Sequence, residues 1–237
     1  MFKRPHHQRI AHVLASLNGP LLQQHGALFG GGTCIALRYG EYRESVDIDF
    51  LVSDAAGYRE LRQLLTGPNG LNALVHSNAQ PLVVPREVKA DQYGLRTQVN
   101  MDGHAIKLEI VRESRIGLDS PRAEDVICGI ATLSVLDSAA SKLLANSDRH
   151  ADDGVFSRDL IDLAMMDLRL PLLRKALLKA EQAYGPSVER DLGKAIDRVQ
   201  SRHGWLERCM QVMAINTVPK AVLWQKIRRL KQIRPPL

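Results

Sequence analysis

Two aspartates one residue apart, Asp47 and Asp49, lie in the run Val46-Asp47-Ile48-Asp49-Phe50-Leu51-Val52, where acidic and apolar residues alternate. Alternation with a period of two is the pattern of a half-buried strand, so residues 46–52 are predicted to form one. Residues two apart on a strand share a face and lie about 6.5 to 7 Å apart. Both carboxylates therefore project together, while Ile48 and Phe50 enter the core. Two like charges this close require a cation, and an all-oxygen pair suits Mg²⁺, which is usually held by one or two carboxylates together with substrate phosphates. Two such ions, about 3.5 to 4 Å apart, can be bridged by these side chains. Glu109, the single carboxylate of Ile106-Lys107-Leu108-Glu109-Ile110-Val111, is the candidate third ligand, on a strand able to neighbour the first.

The turn Gly30-Gly31-Gly32-Thr33 meets a second chemical need. A turn without side chains at the start of a helix lets backbone N–H groups approach phosphate oxygens. Residues 33–39 read as that helix, ending at Gly40. Each motif alone is common: glycine turns mostly just turn, and alternating acids mostly mark the wet face of a strand. Their order and separation are what point to phosphoryl chemistry.

The surrounding elements follow from periodicity and punctuation. Residues 9–17 have helical spacing and stop at Asn18-Gly19-Pro20. Ser53 is placed to cap a helix running to about residue 65. Residues 92–100 and 105–112 read as a hairpin turning at Asp102-Gly103. From Ser134 onward the pattern is helical, with a capping box at Ser134-Val135-Leu136-Asp137 and new helices opening near Pro171 and Pro186. An α/β half is thus followed by a helical half, with the change between residues 115 and 135.

Composition narrows the setting. The 237 residues carry a net charge of +6, which suits an acidic partner such as nucleic acid or a nucleotide. The C-terminal cations Lys220, Lys226, Arg228, Arg229, Lys231 and Arg234 form a local excess, equally readable as a solvated helix face or as a phosphate contact. No apolar run approaches the ~20 residues needed to span a bilayer, and the first residues lack a secretory h-region, so a soluble cytoplasmic protein is expected. Cys34, Cys128 and Cys209 are odd in number and widely separated, which argues against a disulfide framework or a cysteine zinc site. The scattered histidines, His6-His7 among them, show no ligand spacing. Trp205 and Trp224 read as packing anchors.

The segment Gly31-Gly32-Thr33 through Arg43, Ser45, Asp47, Ile48, Asp49 and Phe50 resembles the AbiEii/AbiGii toxin family of bacterial nucleotidyltransferases. Downstream, Lys142-Leu143-Leu144-Ala145 with Asp148-Arg149, then Arg158-Asp159-Leu160-Ile161-Asp162-Leu163, is similar to that family's helical motifs. The resemblance spans residues 28 to 165. It implies an α+β fold: a nucleotidyltransferase-type mixed β-sheet with flanking helices over residues 1–125, then a mainly helical domain over 126–237. It also implies that Asp47 and Asp49 hold Mg²⁺, that Gly31, Gly32, Thr33 and Ser45 line the nucleotide phosphates, that Lys142 faces the triphosphate, and that Asp159 completes the site. The implied reaction moves a nucleoside monophosphate from an NTP to an acceptor hydroxyl, with two Mg²⁺ ions and tRNA 3′ ends as a candidate acceptor. The implied setting is toxin–antitoxin or phage defence, with a cognate antitoxin that need not form a stable complex. A small-molecule acceptor such as an aminoglycoside, a protein hydroxyl, and a non-catalytic nucleotide or nucleic-acid binding module are the competing readings. For Glu109, pairing with Lys107 or Arg96 on an edge strand is the alternative to metal binding.

Overall fold

The computed structural model describes residues 2–233. The chain forms two compact units, one comprising residues up to Arg38 with Ser45–Ser134, the other Tyr39–Glu44 with the residues from Val135 onward.

The first unit opens with α1 (Pro5–Ser16), whose proline sits in the first turn, where its missing N–H is not needed, and whose Ile10, Val13 and Leu14 form the buried stripe. Asn18-Gly19-Pro20 follows the end of α1 and also opens α2 (Gly19–Gln24): the Leu21 N–H donates to Asn18 Oδ1 at 3.0 Å. Then come β1 (Leu28–Gly30), α3 (Gly31–Arg38), β2 (Ile48–Val52), α4 (Ala55–Leu65), β3 (Lys89–Ala90), β4 (Gly94–Met101) and β5 (His104–Arg112). A small ladder of β6 (Val126–Ile127) and β7 (Ile130–Ala131), which the sequence placed in the helical half, belongs to this unit.

The five-stranded sheet has the order β1-β2-β5-β4-β3; β2 and β5 are parallel and the other pairs antiparallel. The sheet is therefore mixed, and β5 is interior rather than an edge. The β4–β5 turn places Asp102 and Gly103 at φ +51° and +76°, the left-handed pair whose twist matches a two-residue hairpin. One face of the sheet is apolar, with Ile48, Phe50, Leu95, Val99, Ile106, Leu108 and Ile110 in a core shared with α1 and α4. Residues of opposite parity, among them Asp49, Arg96, Lys107 and Glu109, fall on the other face.

One local expectation is corrected. The cap of α4 is Asp54, whose Oδ2 accepts from the Gly57 N–H at 2.6 Å, while the Ser53 hydroxyl oxygen accepts from the Leu118 N–H. β2 ends at Val52, where the alternation placed it, and α4 begins one residue later than a Ser53 cap would have it.

The second unit is helical: α5 (Val135–Arg149), α6 (Arg158–Met165), α7 (Leu170–Tyr184), α8 (Ser187–Ser201), α9 (Trp205–Val212) and α10 (Lys220–Arg229). α5 packs against α6, α7 and α8, burying Leu143, Leu160, Ala176 and Ile196. Pro171 lies in the first turn of α7, while Pro186 is the residue just before α8. Trp205 is a packing anchor, stacked on Phe156 with ring centroids 6.1 Å apart and donating from Nε1 to Ser157 Oγ.

Candidate active site

In the first unit, antiparallel β1 and parallel β5 flank β2, so that Gly30, Asp49 and Glu109 are direct partners across three strands. Gly31 follows immediately and opens α3 at φ +68°. A Cβ at Gly31 would stand 2.4 Å from Asp49 Oδ2 and 3.0 Å from its Cβ. The carboxylate therefore lies against bare backbone at the start of a helix, whose first four N–H groups lack intrahelical acceptors. Asp47 lies one residue before Ile48, the first paired residue of β2.

The approach to the strand is held in place. Thr33 Oγ1 donates to Ser45 Oγ at 2.8 Å, linking the first turn of α3 to the segment entering β2. The Ser45 N–H donates to Nε2 of the buried His7 at 3.2 Å, and His6 Nε2 bonds the Val46 carbonyl at 3.1 Å. Arg38, at the far end of α3, donates to Asp125 at 3.1 Å and to Thr132. The histidines dismissed as metal ligands thus brace the backbone beside Asp47. No sequence signal marks contacts made across 38 and 40 residues.

Glu109 forms ion pairs with Lys107 at 2.8 Å and Arg96 at 3.2 Å, and Arg96 is also held by Asp91 at 2.7 Å. Both cations weighed in the sequence are its partners, although β5 is an interior strand. Among the described residues no group of three His, Cys, Asp or Glu side chains is arranged to hold a metal ion. The Asp49 carboxylate, beside a turn that has no room for a side chain, is an oxygen donor of the kind that suits a hard cation carrying phosphate ligands. Cys34, next to Thr33, is buried, and burial pushes its thiol up to about 12, which disfavours the reactive thiolate.

Lys142 and Asp159 are in the second unit, inside a buried charge cluster. Lys142 Nζ lies 2.9 Å from Asp159 Oδ1 and 2.7 Å from Asp162 Oδ2. Arg43 grips Asp162 through Nε at 2.6 Å and Nη2 at 3.0 Å, with the Tyr42 hydroxyl donating to the same carboxylate. Arg149 grips Asp159 through two nitrogens, at 2.7 and 2.9 Å. Burial by itself would raise both aspartates, but Lys142 with Arg149, and Arg43 with Lys142, outweigh it and hold them below the usual carboxylate range. Burial would likewise lower Lys142; Asp159 and Asp162 raise it instead. The signal was in the sequence as Arg-Asp-x-x-Asp, but the partners Tyr42 and Arg43 were not legible.

The basic C-terminal helix is mostly neutralised within its own unit: Lys220 pairs with Glu207, Lys226 and Arg229 with Asp167, and Lys231 with Asp197. Arg234 lies outside the described residues.

A profile of the nucleotidyl transferase AbiEii toxin family, type IV toxin–antitoxin system, matches residues 13–228 and so takes in Gly31, Asp47, Asp49, Glu109, Lys142 and Asp159. The chain belongs to the AbiEii nucleotidyltransferase toxin family. Membership implies an NTP substrate and an antitoxin partner. No curated protein matches the chain. Two solved structures are similar to this AbiEii-family chain. One, a candidate nucleotidyltransferase from H. pylori, is 18% identical with a TM-score of 0.48, over 95% of this chain and 93% of that one. The other, JHP933 from Helicobacter pylori, is 16% identical with a TM-score of 0.48, over 98% and 94%. No helix among the described residues is long and apolar enough to cross a membrane.

The Gly31 contact makes a direct prediction for this AbiEii-family site. In Gly31→Ala the new methyl meets the Asp49 carboxylate in a backbone conformation that costs an L-residue about 1 to 2 kcal/mol. Displacing a catalytic group by about 1 Å lowers turnover on the order of 10²-fold. A thermal melt combined with a transfer assay should therefore show a modest stability loss and a much larger activity loss; equal, small losses would mean that the Gly31–Asp49 contact is incidental.

Proposed function

We propose that the first unit transfers a nucleoside monophosphate from an NTP to an acceptor hydroxyl, placing the 3′ end of tRNA first among acceptors, in the bacterial cytoplasm and as the toxin of its pair. The observation that carries this reading is the Asp49 carboxylate set against the Gly31 backbone at the start of α3. The acceptor oxygen attacks the α-phosphorus, a P–O bond forms, the bond to the β-phosphate oxygen breaks, and pyrophosphate leaves while the acceptor proton passes to solvent or base.

Asp47 and Asp49 would hold Mg²⁺, which when bound supplies charge neutralisation for the triphosphate and acidifies the attacking hydroxyl. The N–H groups of Gly31, Gly32 and Thr33 would donate to phosphate oxygens at the positive end of the helix. The Thr33–Ser45 hydroxyl pair fixes the wall of that cradle. Glu109, interposed between Asp49 and the cations Lys107 and Arg96, sets where negative charge ends and positive charge begins on the face. In the second unit we assign Lys142 and Asp159 to the cluster that grips Arg43, in the segment linking α3 to β2, which makes them positioning residues.

The test is incubation of purified protein with α-labelled and γ-labelled NTPs, Mg²⁺ and total RNA. Label entering RNA only from the α position, with pyrophosphate released in equal amount, is the expected result. Label entering from the γ position, or NTP binding without pyrophosphate release, would show a kinase or a binding module instead.

A further inference from the structure

The polar face of the sheet continues past Glu109 into a cationic groove. In-register pairing places Asp49 beside Glu109, Glu109 beside Arg96, and Arg96 beside Lys89, forming one row across β2, β5, β4 and β3. Strands are spaced about 4.8 Å apart, so Arg96 and Lys89 are rooted roughly 10 and 14 Å from Asp49 on the same face. There Arg86, Lys89, Arg96, Gln98 and Lys107 line a groove of about 190 Å³, with Glu87 as its one carboxylate. Arg96 and Lys107 are shared with Asp91 and Glu109, whereas Arg86 and Lys89 are exposed and have no carboxylate partner among the described residues.

Cations left unpaired beside paired ones mark the place where an external anion completes the charge balance. The groove begins beside Glu109, with Lys107 on the same strand and Arg96 on the next, so the anion that suits it belongs to the same molecule that presents the acceptor hydroxyl. A chain of phosphodiesters, one per nucleotide, fits a row of cations spaced strand by strand. The four C-terminal cations already held by carboxylates lack this property.

We infer that the Arg86–Lys89–Arg96–Lys107 groove binds the sugar–phosphate backbone of a single-stranded nucleic-acid acceptor, leading its terminal hydroxyl to Asp47 and Asp49. The inference rests on the nucleotidyl-transfer reading for its direction along the face, but the groove's affinity is measurable without any transfer. Arg86 and Lys89 read backbone charge rather than base identity, so they set affinity and not sequence preference.

The experiment is fluorescence anisotropy of a short labelled oligoribonucleotide, and of its DNA counterpart, against the full chain across about 50 to 200 mM salt. Arg86→Ser combined with Lys89→Ser should weaken binding roughly tenfold and flatten the salt slope by about 1.4, the value for two phosphate contacts on a single strand. Arg228→Ser combined with Arg229→Ser, which removes the same charge from α10, should leave both unchanged. Equal effects of the two pairs would reduce the result to net charge and overturn the groove, as would a parent protein that binds neither oligonucleotide. RNA binding over DNA, or the reverse, identifies the natural strand; either supports the groove. In the transfer assay the groove variant should raise KM for the acceptor while kcat at saturating acceptor is kept, with NTP binding unaltered. Failure of the parent to transfer would refute the activity while leaving the groove result standing; transfer to a phosphate-free acceptor by both proteins would do the opposite.

Discussion

Asp49→Asn is expected to abolish nucleotidyl transfer while leaving the fold intact. The substitution keeps the shape of the side chain and removes one negative charge from a half-buried position beside Gly31 and Glu109. Its contribution to stability through the α3 helix dipole is limited to about 0.3 to 1 kcal/mol, and relief of repulsion from Glu109 works against even that loss. The effect on chemistry is of another order. Losing a ligand that positions a divalent ion removes several kcal/mol of transition-state stabilisation, and at about 1.4 kcal/mol per tenfold this is on the order of 10³ in rate or more. Asp47→Asn should behave alike. Turnover and thermal melting measured on the same samples separate the possibilities: a melting point within a few degrees of the parent with activity lost fits a catalytic pair, whereas activity within tenfold of the parent would remove Asp49 from the mechanism.

The largest stability effect is expected in the second unit, at Asp162→Asn. Asp162 is fully buried and receives Arg43 through two nitrogens, Lys142 and the Tyr42 hydroxyl. Removing its charge leaves Arg43 and Lys142 buried with only Asp159 to offset them, and Asp159 is already shared with Arg149. Breaking a buried ion pair in this way costs about 3 to 5 kcal/mol. Both tryptophans, Trp205 and Trp224, belong to this unit, so urea denaturation followed by their fluorescence reports on it specifically. A midpoint close to the parent's would show that the cluster adds little.

The same cluster fixes the pH dependence. Asp159 and Asp162 have folded values held below the unfolded carboxylate value of about 3.9, so the stabilisation is full above that pH and disappears as pH falls through the folded values. Lys142 is raised, so its share is full below about 10.4 and is lost as pH rises through its folded value. Stability of the second unit should therefore be flat across neutral pH and drop steeply in acid, and Asp162→Asn should reduce the acid drop.

What could be read from the sequence divides along one physical line. The strand bearing Asp49, the hairpin at Asp102-Gly103 and the helix after Gly31 are local patterns, in which side-chain alternation or turn chemistry acts over a few residues, and they stand in the structure close to where they were placed. The grip of Arg43 on Asp162 joins residues 119 apart, and the bond from Ser45 to His7 joins residues 38 apart. Such contacts leave no periodicity behind. His6-His7 has the same composition whether it holds a metal or a backbone amide, and nothing in the local pattern of Tyr39–Glu44 shows that it belongs to the helical unit. The C-terminal cations illustrate the converse: a run of charge is visible at once, but the carboxylates of Glu207, Asp167 and Asp197 that neutralise it are not. The Ser53 cap failed at the level of a single residue: two adjacent residues of capping type, Ser53 and Asp54, follow the end of β2, and the second of them caps α4.

The central claim concerns one place on the molecule, and locating a divalent ion there is the shortest route to it. Crystals grown with Mn²⁺ in place of Mg²⁺ and a non-hydrolysable NTP analogue would reveal the ion by its anomalous scattering. Mn²⁺ is expected about 2.1 Å from carboxylate oxygens of both Asp47 and Asp49, with the analogue's phosphates over the backbone of Gly31 and Gly32. An ion and nucleotide bound anywhere else, with those two carboxylates unligated, would contradict it.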